Sequence, residues 1–170
     1  MELQARKHGP ADKYDNLRCL RIDGSSTETS MPRQGALPHD LIHAVIESAL
    51  GLSDGFMGLV AKGADISPLA KDFREYIDPV QSMQAAQAES VVEALQTQLW
   101  SGAFDESVFL YGVEITCAMR KVPVPDLSSC KPALDLYQRA MDMNVAWQSV
   151  PSGATWMLRF PLETSLLVPA

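Results

Sequence analysis

The spacing of apolar residues changes at Gly35, and this change constrains the fold more than any other feature of the 170-residue sequence. Before Gly35, apolar and polar residues alternate, as in strands with one buried face. From Leu41 to Leu50, apolar residues recur every three or four positions, as in an amphipathic helix, further helical segments follow, and alternation returns at Trp156. Strands followed by helices and then by one strand favour an α+β fold over a doubly wound α/β fold.

The first third of the chain predicts a small antiparallel sheet. Residues 1–8 alternate in polarity and predict one strand. Residues 14–22 and 27–31 flank the turn pair Asp23-Gly24 and predict a hairpin. Because the second strand of this hairpin is polar on both faces, we expect it at the edge of the sheet.

The middle of the chain predicts a group of helices. Residues 64–80 indicate an irregular connection with one helical turn at Phe73, and residues 104–119 are ambiguous because β-branched residues and Gly112 interrupt a helical pattern. Residues 154–162 predict a strand that returns to the N-terminal sheet. The predicted helices are Pro38 to Leu50 with Gly51 as C-cap, residues 54–62 capped by Ser53 or Asp54 and closed by Gly63, residues 80–100, and residues 132–149 capped by Ser128 or Ser129.

We expect a single domain over residues 1–170, because a chain of this length buries enough surface to fold without disulfides or a structural metal. It would comprise a strand-rich part (1–35), a helical part (36–150) and the returning strand (154–162). The small sheet would pack one face on the group of helices.

The charge distribution argues against two classes of partner. The net charge is −7, and residues 75–119 hold seven acids and no Lys or Arg, which disfavours binding to nucleic acid or anionic lipid. No apolar run reaches the roughly 20 residues of a membrane span. Residues 1–10 lack the apolar core of a signal peptide, and three cysteines indicate a reducing compartment. We therefore expect a soluble, cytoplasmic protein.

A group of polar residues on one face of the predicted first helix suggests a metal-binding or catalytic site. At about 100° per residue, His43, Glu47 and Asp40 lie within about 100° of His39 on the helical wheel. The string HDLIH (39–43) resembles the HExxH signature of zinc metallopeptidases, in which two histidines one turn apart bind the metal and the acid between them is the general base. This resemblance implies that His39 and His43 bind zinc and that Asp40 is the base.

A zinc site of this kind needs a third protein ligand. Glu47 does not complete it, because residues i and i+8 on a straight helix lie about 12 Å apart. Two alternatives to a metal site stay open. In the first, the histidines and Glu47 lie on a solvated helix face, and the Asp40 carboxylate interacts favourably with the dipole at the helix N-terminus. In the second, these residues form a binding site without a metal. Spacing does not choose among the candidate third ligands, which are Asp65, Asp72, Glu75 and Glu114.

Residues 37–64, LPHDLIHAVIESALGLSDGFMGLVAKGA, resemble a motif of small bacterial proteins of no established activity. In that family a Leu-Pro-His-Asp-Leu-x-His string precedes an acidic residue and a Gly-containing segment. The resemblance implies that this chain has relatives among those proteins, but it assigns no catalytic role to any residue. The glycines of this segment lack the pattern of a phosphate-binding loop and are more typical of helix caps and a close helix contact.

Two functions are consistent with these observations. The first, which the sequence favours, is a non-catalytic binding protein whose acidic helical region and apolar tail (165–170) contact a protein partner. The alternative is a zinc-dependent hydrolase that uses His39, His43 and Asp40.

Overall fold

A four-stranded antiparallel sheet covers one side of a group of helices in the computed structural model, which describes residues 1–66, 79–128 and 133–163. The order of the strands in the sheet is β3-β2-β1-β4. The predicted α+β fold is therefore confirmed. The strands are β1 (Glu2–Arg6), β2 (Tyr14–Leu20), β3 (Ser26–Pro32) and β4 (Thr155–Arg159).

Strand β1 joins the two ends of the chain. Its Leu3 pairs with Cys19 of β2 on one side and with Leu158 of β4 on the other. All three side chains are buried, so this row faces the helices, as alternation along a strand requires. The predicted return of the last strand is confirmed, over Thr155–Arg159 rather than residues 154–162.

Strand β3 lies at one edge of the sheet, as its polar sequence predicts. Met31 is its buried residue, and the positions from Ser26 to Ser30 are exposed or half-buried. A polar edge strand of this kind resists pairing with other chains.

The described residues contain five helices, and none of them is both long enough and apolar enough to cross a membrane. Helix α1 ends as predicted at Gly51, which has a φ of 65°. Helix α2 begins after Gly55, so the prediction of a cap at Ser53 or Asp54 is wrong. The helices are α1 (His39–Leu50), α2 (Phe56–Ala61), α3 (Pro79–Ser101), α4 (Glu106–Arg120) and α5 (Leu134–Ser149).

The ambiguous segment 104–119 forms helix α4. Asp105 caps it, because its carboxylate accepts a hydrogen bond of 3.0 Å from the backbone N–H of Val108. Gly112 lets α4 approach α3 closely, since a Cβ at this position would lie 3.3 Å from the Cβ of Ala94. Tertiary packing thus offsets the low helix propensity of this segment.

Helix α1 lies at the centre of the molecule. It packs against α2, α3 and α5, and its apolar positions from Leu41 to Ile46 are almost fully buried. The sequence predictions that lie outside the described residues include the helical turn at Phe73, the cap at Ser129 and the apolar tail (165–170). The alternative cap at Ser128 is wrong, because Ala133 is the N-cap of α5.

A buried ion pair ties the start of β2 to the chain beyond β3. The Asp15 carboxylate, which is 3% exposed, accepts hydrogen bonds from the Arg33 guanidinium and from the backbone N–H of His8. Arg33 also donates to the carbonyls of His8 and Gly9, at 3.0 Å each. The pair therefore holds the β1–β2 connection against the end of β3.

We expect Asp15→Asn to lower the free energy of unfolding at neutral pH by about 1.5–3 kcal/mol, as for hydrogen bonds to charged groups. Burial raises the pKa of Asp15, but the hydrogen bonds from Arg33 and His8 outweigh it and hold this pKa below its ordinary value. The stabilisation is therefore present above the ordinary carboxyl pKa of about 3.9 and is lost as the pH falls through the lower folded-state pKa.

Urea unfolding at about pH 7 and about pH 3 measures this contribution. The wild type should lose more stability on acidification than Asp15→Asn, whereas the exposed control Glu28→Gln should behave like the wild type. Equal acid sensitivity of wild type and Asp15→Asn would contradict the role of the pair.

Candidate metal centre

Helix α1 places His39 and His43 one turn apart on the same face. Their Nε2 atoms are 3.2 Å apart, and their rings meet edge to face with centroids separated by 4.9 Å. The close approach follows from the i, i+4 spacing, which brings side chains one above the other on a helix. The sequence alone therefore accounts for this half of the site.

Glu89 of helix α3 completes a group of three possible ligands. Its Oε2 atom lies 2.9 Å from Nε2 of His43 and 3.5 Å from Nε2 of His39. Among the described residues, these three side chains form the group that can hold a metal ion.

The third ligand was not among the candidates that the sequence suggested. The Asp65 carboxylate instead accepts a hydrogen bond from the Thr27 hydroxyl, and Glu114 is exposed on α4. Asp72 and Glu75 lie outside the described residues. No sequence motif connects residues 43 and 89, so only the packing of α1 on α3 brings them together.

The three ligand atoms are spaced as a tetrahedral metal site requires. Two ligand atoms that each lie about 2.1 Å from a tetrahedral zinc ion are about 3.4 Å from each other. The separations of 3.2, 2.9 and 3.5 Å within this group are close to that value. A small outward movement of the side chains would accommodate the ion.

Solvent reaches the group from one side. The side chain of His43 is 2% exposed, whereas those of His39 and Glu89 are exposed by about a third (32% and 33%). A metal held here would keep an open coordination position, as catalytic zinc sites do.

The prediction of a solvated helix face is wrong for His43 and Glu47, which are 2% and 1% exposed. Helices α2 and α3 pack against α1 and cover these positions, a packing that a helical wheel does not contain. By contrast, the side chain of His39 stays about a third exposed.

Hydrogen bonds that Nδ1 donates orient both imidazoles. Nδ1 of His43 lies 3.0 Å from Oε1 of Glu47; because a carboxylate only accepts, this nitrogen carries the proton. Nδ1 of His39 lies 3.2 Å from Oε1 of Gln96, whose amide nitrogen donates to Gln34. Both Nε2 atoms consequently point at Glu89, the arrangement typical of metal-binding histidines.

Hydrogen bonds within the group shift the pKa values of His43 and Glu89 in opposite directions. Burial lowers the pKa of His43, but hydrogen bonds to Glu47 and Glu89 outweigh it and raise this pKa to about 9. For Glu89, burial raises the pKa, and the hydrogen bonds from His39 and His43 lower it well below its ordinary value. Without a metal, the group at neutral pH therefore contains an imidazolium between two carboxylates, and a metal that binds Nε2 of His43 would displace the proton there.

Asp40, the base suggested by the HDLIH motif, lies next to this group without joining it. Its carboxyl is half-buried, and burial raises its pKa, although the charges of His43 and His39 act in the opposite direction. Its role as a base stays a prediction.

No protein-family model, curated protein or solved structure matches this chain. The resemblance of residues 37–64 to a family of small bacterial proteins therefore stays a prediction. Function has to be argued from the geometry of the site.

We expect His43→Ala to destabilise the protein far more than His39→Ala. Removing His43 leaves the Glu47 carboxylate buried without its ion-pair partner, at a cost of about 3 kcal/mol or more. His39 is partly exposed and pairs with Glu89 at a longer distance, so its loss should cost about 1 kcal/mol or less. Urea unfolding in the presence of a chelator measures both values, and equal costs would contradict this description of the pair.

Proposed function

We propose that His39, His43 and Glu89 bind one zinc ion and that the protein is a zinc-dependent hydrolase. The observation that supports this proposal is the convergence of the three ligand atoms at separations of 2.9 to 3.5 Å beside solvent. Two imidazoles and one carboxylate are a ligand set of catalytic zinc sites that keep a fourth position for water.

The donor set favours zinc over the hard divalent cations. Calcium and magnesium prefer oxygen ligands, and this group offers two nitrogens and one carboxylate oxygen. Imidazole ligands suit zinc and its transition-metal neighbours. The hydrogen bonds at Nδ1 of both histidines further support a metal that binds at Nε2.

A zinc ion in such a site lowers the pKa of bound water to about 7 and so supplies a nucleophile for hydrolysis. In this proposal His39, His43 and Glu89 hold the ion, and their partly exposed side admits the substrate. Asp40 keeps the role of base that the HDLIH motif suggests.

The purified, tag-free protein is expected to contain about one zinc per chain after dialysis, as a three-ligand site would. His39→Ala, His43→Ala and Glu89→Gln should each lose the metal. The matched control is Glu93→Gln, one helical turn further along α3, because Glu93 pairs with Arg120 instead. Elemental analysis gives the zinc content, and cobalt substitution should give the visible absorption of a tetrahedral site.

Hydrolysis of p-nitrophenyl acetate tests the catalytic part of the proposal. Turnover should require zinc, and Asp40→Asn should keep the zinc content while losing about 100-fold or more in rate. A wild type that binds no zinc overturns the whole proposal. A zinc-loaded wild type without zinc-dependent turnover overturns the hydrolase and leaves the metal site.

We also propose a second candidate, a binding function, because of one surface of α4. Its apolar stripe consists of Val108, Tyr111, Ile115 and Met119, which are 53%, 65%, 43% and 76% exposed. These positions recur every three or four residues and lie on the side of α4 opposite the buried core residues. A continuous exposed apolar stripe is typical of a surface that contacts a partner.

Charge around the apolar stripe indicates the kind of partner. Asp105, Glu106 and Glu114 are exposed along α4, and residues 75–119 contain no base. Glu114 lies about 100° around the helix from Ile115, so it flanks the apolar stripe near the middle of its length. The stripe therefore suits an amphipathic helix of another protein with Lys or Arg beside its apolar face.

A synthetic amphipathic helix of Leu and Lys is expected to bind the full chain, and Ile115→Asp should weaken binding by about tenfold or more. Val145→Asp on α5 is the charge-matched control, because Val145 is 63% exposed on another helix. Fluorescence anisotropy measures both affinities, and a Leu and Glu peptide tests the charge preference.

Equal weakening by Ile115→Asp and Val145→Asp would overturn the site, as would equal binding of the two peptides. If the wild type forms a dimer and Ile115→Asp dissociates it, the apolar stripe mediates self-association. That result would overturn the proposal that the stripe binds a helix of another protein.

A further inference from the structure

The Glu47 carboxylate is fully buried, and it lies behind the proposed ligands rather than among them. Its oxygens accept three hydrogen bonds. Oε1 accepts from Nδ1 of His43 at 3.0 Å and from the backbone N–H of Met57 at 3.1 Å, and Oε2 accepts from the backbone N–H of Gly58 at 3.0 Å. One carboxylate therefore connects a metal-facing histidine of α1 to the first turn of α2.

The chain after α1 is fitted closely around this carboxylate. A Cβ at Gly55 would lie 2.4 Å from Cδ of Glu47, and a Cβ at Gly58 would lie 2.3 Å from the carbonyl oxygen of Ser53. Neither glycine has a positive φ, so close approach rather than backbone conformation requires glycine at both positions. We call residues 51–63 the glycine segment.

The ring of His43 also contacts the glycine segment directly. It packs against Phe56, the first residue of α2, with ring centroids 5.0 Å apart. His43 thus lies between His39 on one side and Phe56 on the other. Its orientation depends on contacts with α2 as well as on the helix that carries it.

We propose that Glu47 is the positioning residue of the metal centre, and that through it metal binding and the glycine segment stabilise each other. By accepting a hydrogen bond from the Nδ1–H of His43, Glu47 keeps the ring proton on Nδ1 when Nε2 binds the metal. The inference rests on the proposed zinc function. The coupling is reciprocal. If the ordered glycine segment raises the affinity for the metal by some factor, the bound metal stabilises the ordered segment by the same factor.

Zinc affinity, measured by competition with a colorimetric chelator, tests the positioning role. Glu47→Gln should weaken zinc binding by about 10- to 100-fold, the effect usual for the loss of such a partner. The glutamine amide has one acceptor oxygen and no charge, so it cannot accept all three hydrogen bonds. The control Glu93→Gln should bind zinc as tightly as the wild type.

Two measurements on the wild type do not depend on the folding of a variant. Added zinc in large excess should slow hydrogen exchange at the amides of Met57 and Gly58 by about tenfold or more, while exposed amides of β3 stay unchanged. Nitrogen NMR of the zinc-bound protein should show His43 protonated at Nδ1.

The outcomes separate this inference from the zinc function. A wild type that binds no zinc overturns the function and the inference together. Zinc binding of equal strength in wild type and Glu47→Gln overturns the positioning role alone, because a purely structural Glu47 would change stability but leave the affinity of the folded protein intact. Unchanged exchange at Met57 and Gly58 overturns the coupling.

Discussion

The buried pair between His43 and Glu47 is the interaction on which the rest of this site depends. Both side chains are almost completely removed from water, so each needs the other and its remaining hydrogen bonds to offset the cost of desolvation. Glu47 obtains the rest from the backbone of α2, and His43 from Glu89 of α3. One ion pair thereby links α1, α2 and α3 at the site.

This dependence accounts for the combination of residues between positions 37 and 64. His39 and His43 direct their Nε2 atoms toward α3, and Glu47, one turn after His43, orients the His43 ring. Gly55 and Gly58 let α2 approach the Glu47 carboxylate closely. From the sequence, these glycines are typical of helix caps and of a close helix contact. Gly51 and Gly55 are caps, and Gly55 and Gly58 also allow close approach.

Much of the fold could be predicted because it follows from local patterns. Alternation predicted the returning strand and, with the turn pair Asp23-Gly24, the hairpin. Helical spacing predicted α1, and a run of strong helix formers without Gly or Pro predicted α3. The cap of α2 was predicted wrongly, and the segment 104–119 was left ambiguous, for one common reason. The start of α2 at Gly55 and the helical state of residues 104–119 depend on contacts with other elements, which propensity does not contain.

The sequence by itself determined that His39 and His43 lie together, because the geometry of a helix brings residues four apart to one face. Only the tertiary structure decided that Glu89, 46 residues beyond His43, joins them, and that Glu47 lies buried behind them. The reason is the range of the forces involved. Backbone geometry determines neighbours within a turn, whereas the neighbours of a whole helix face depend on how separate elements pack.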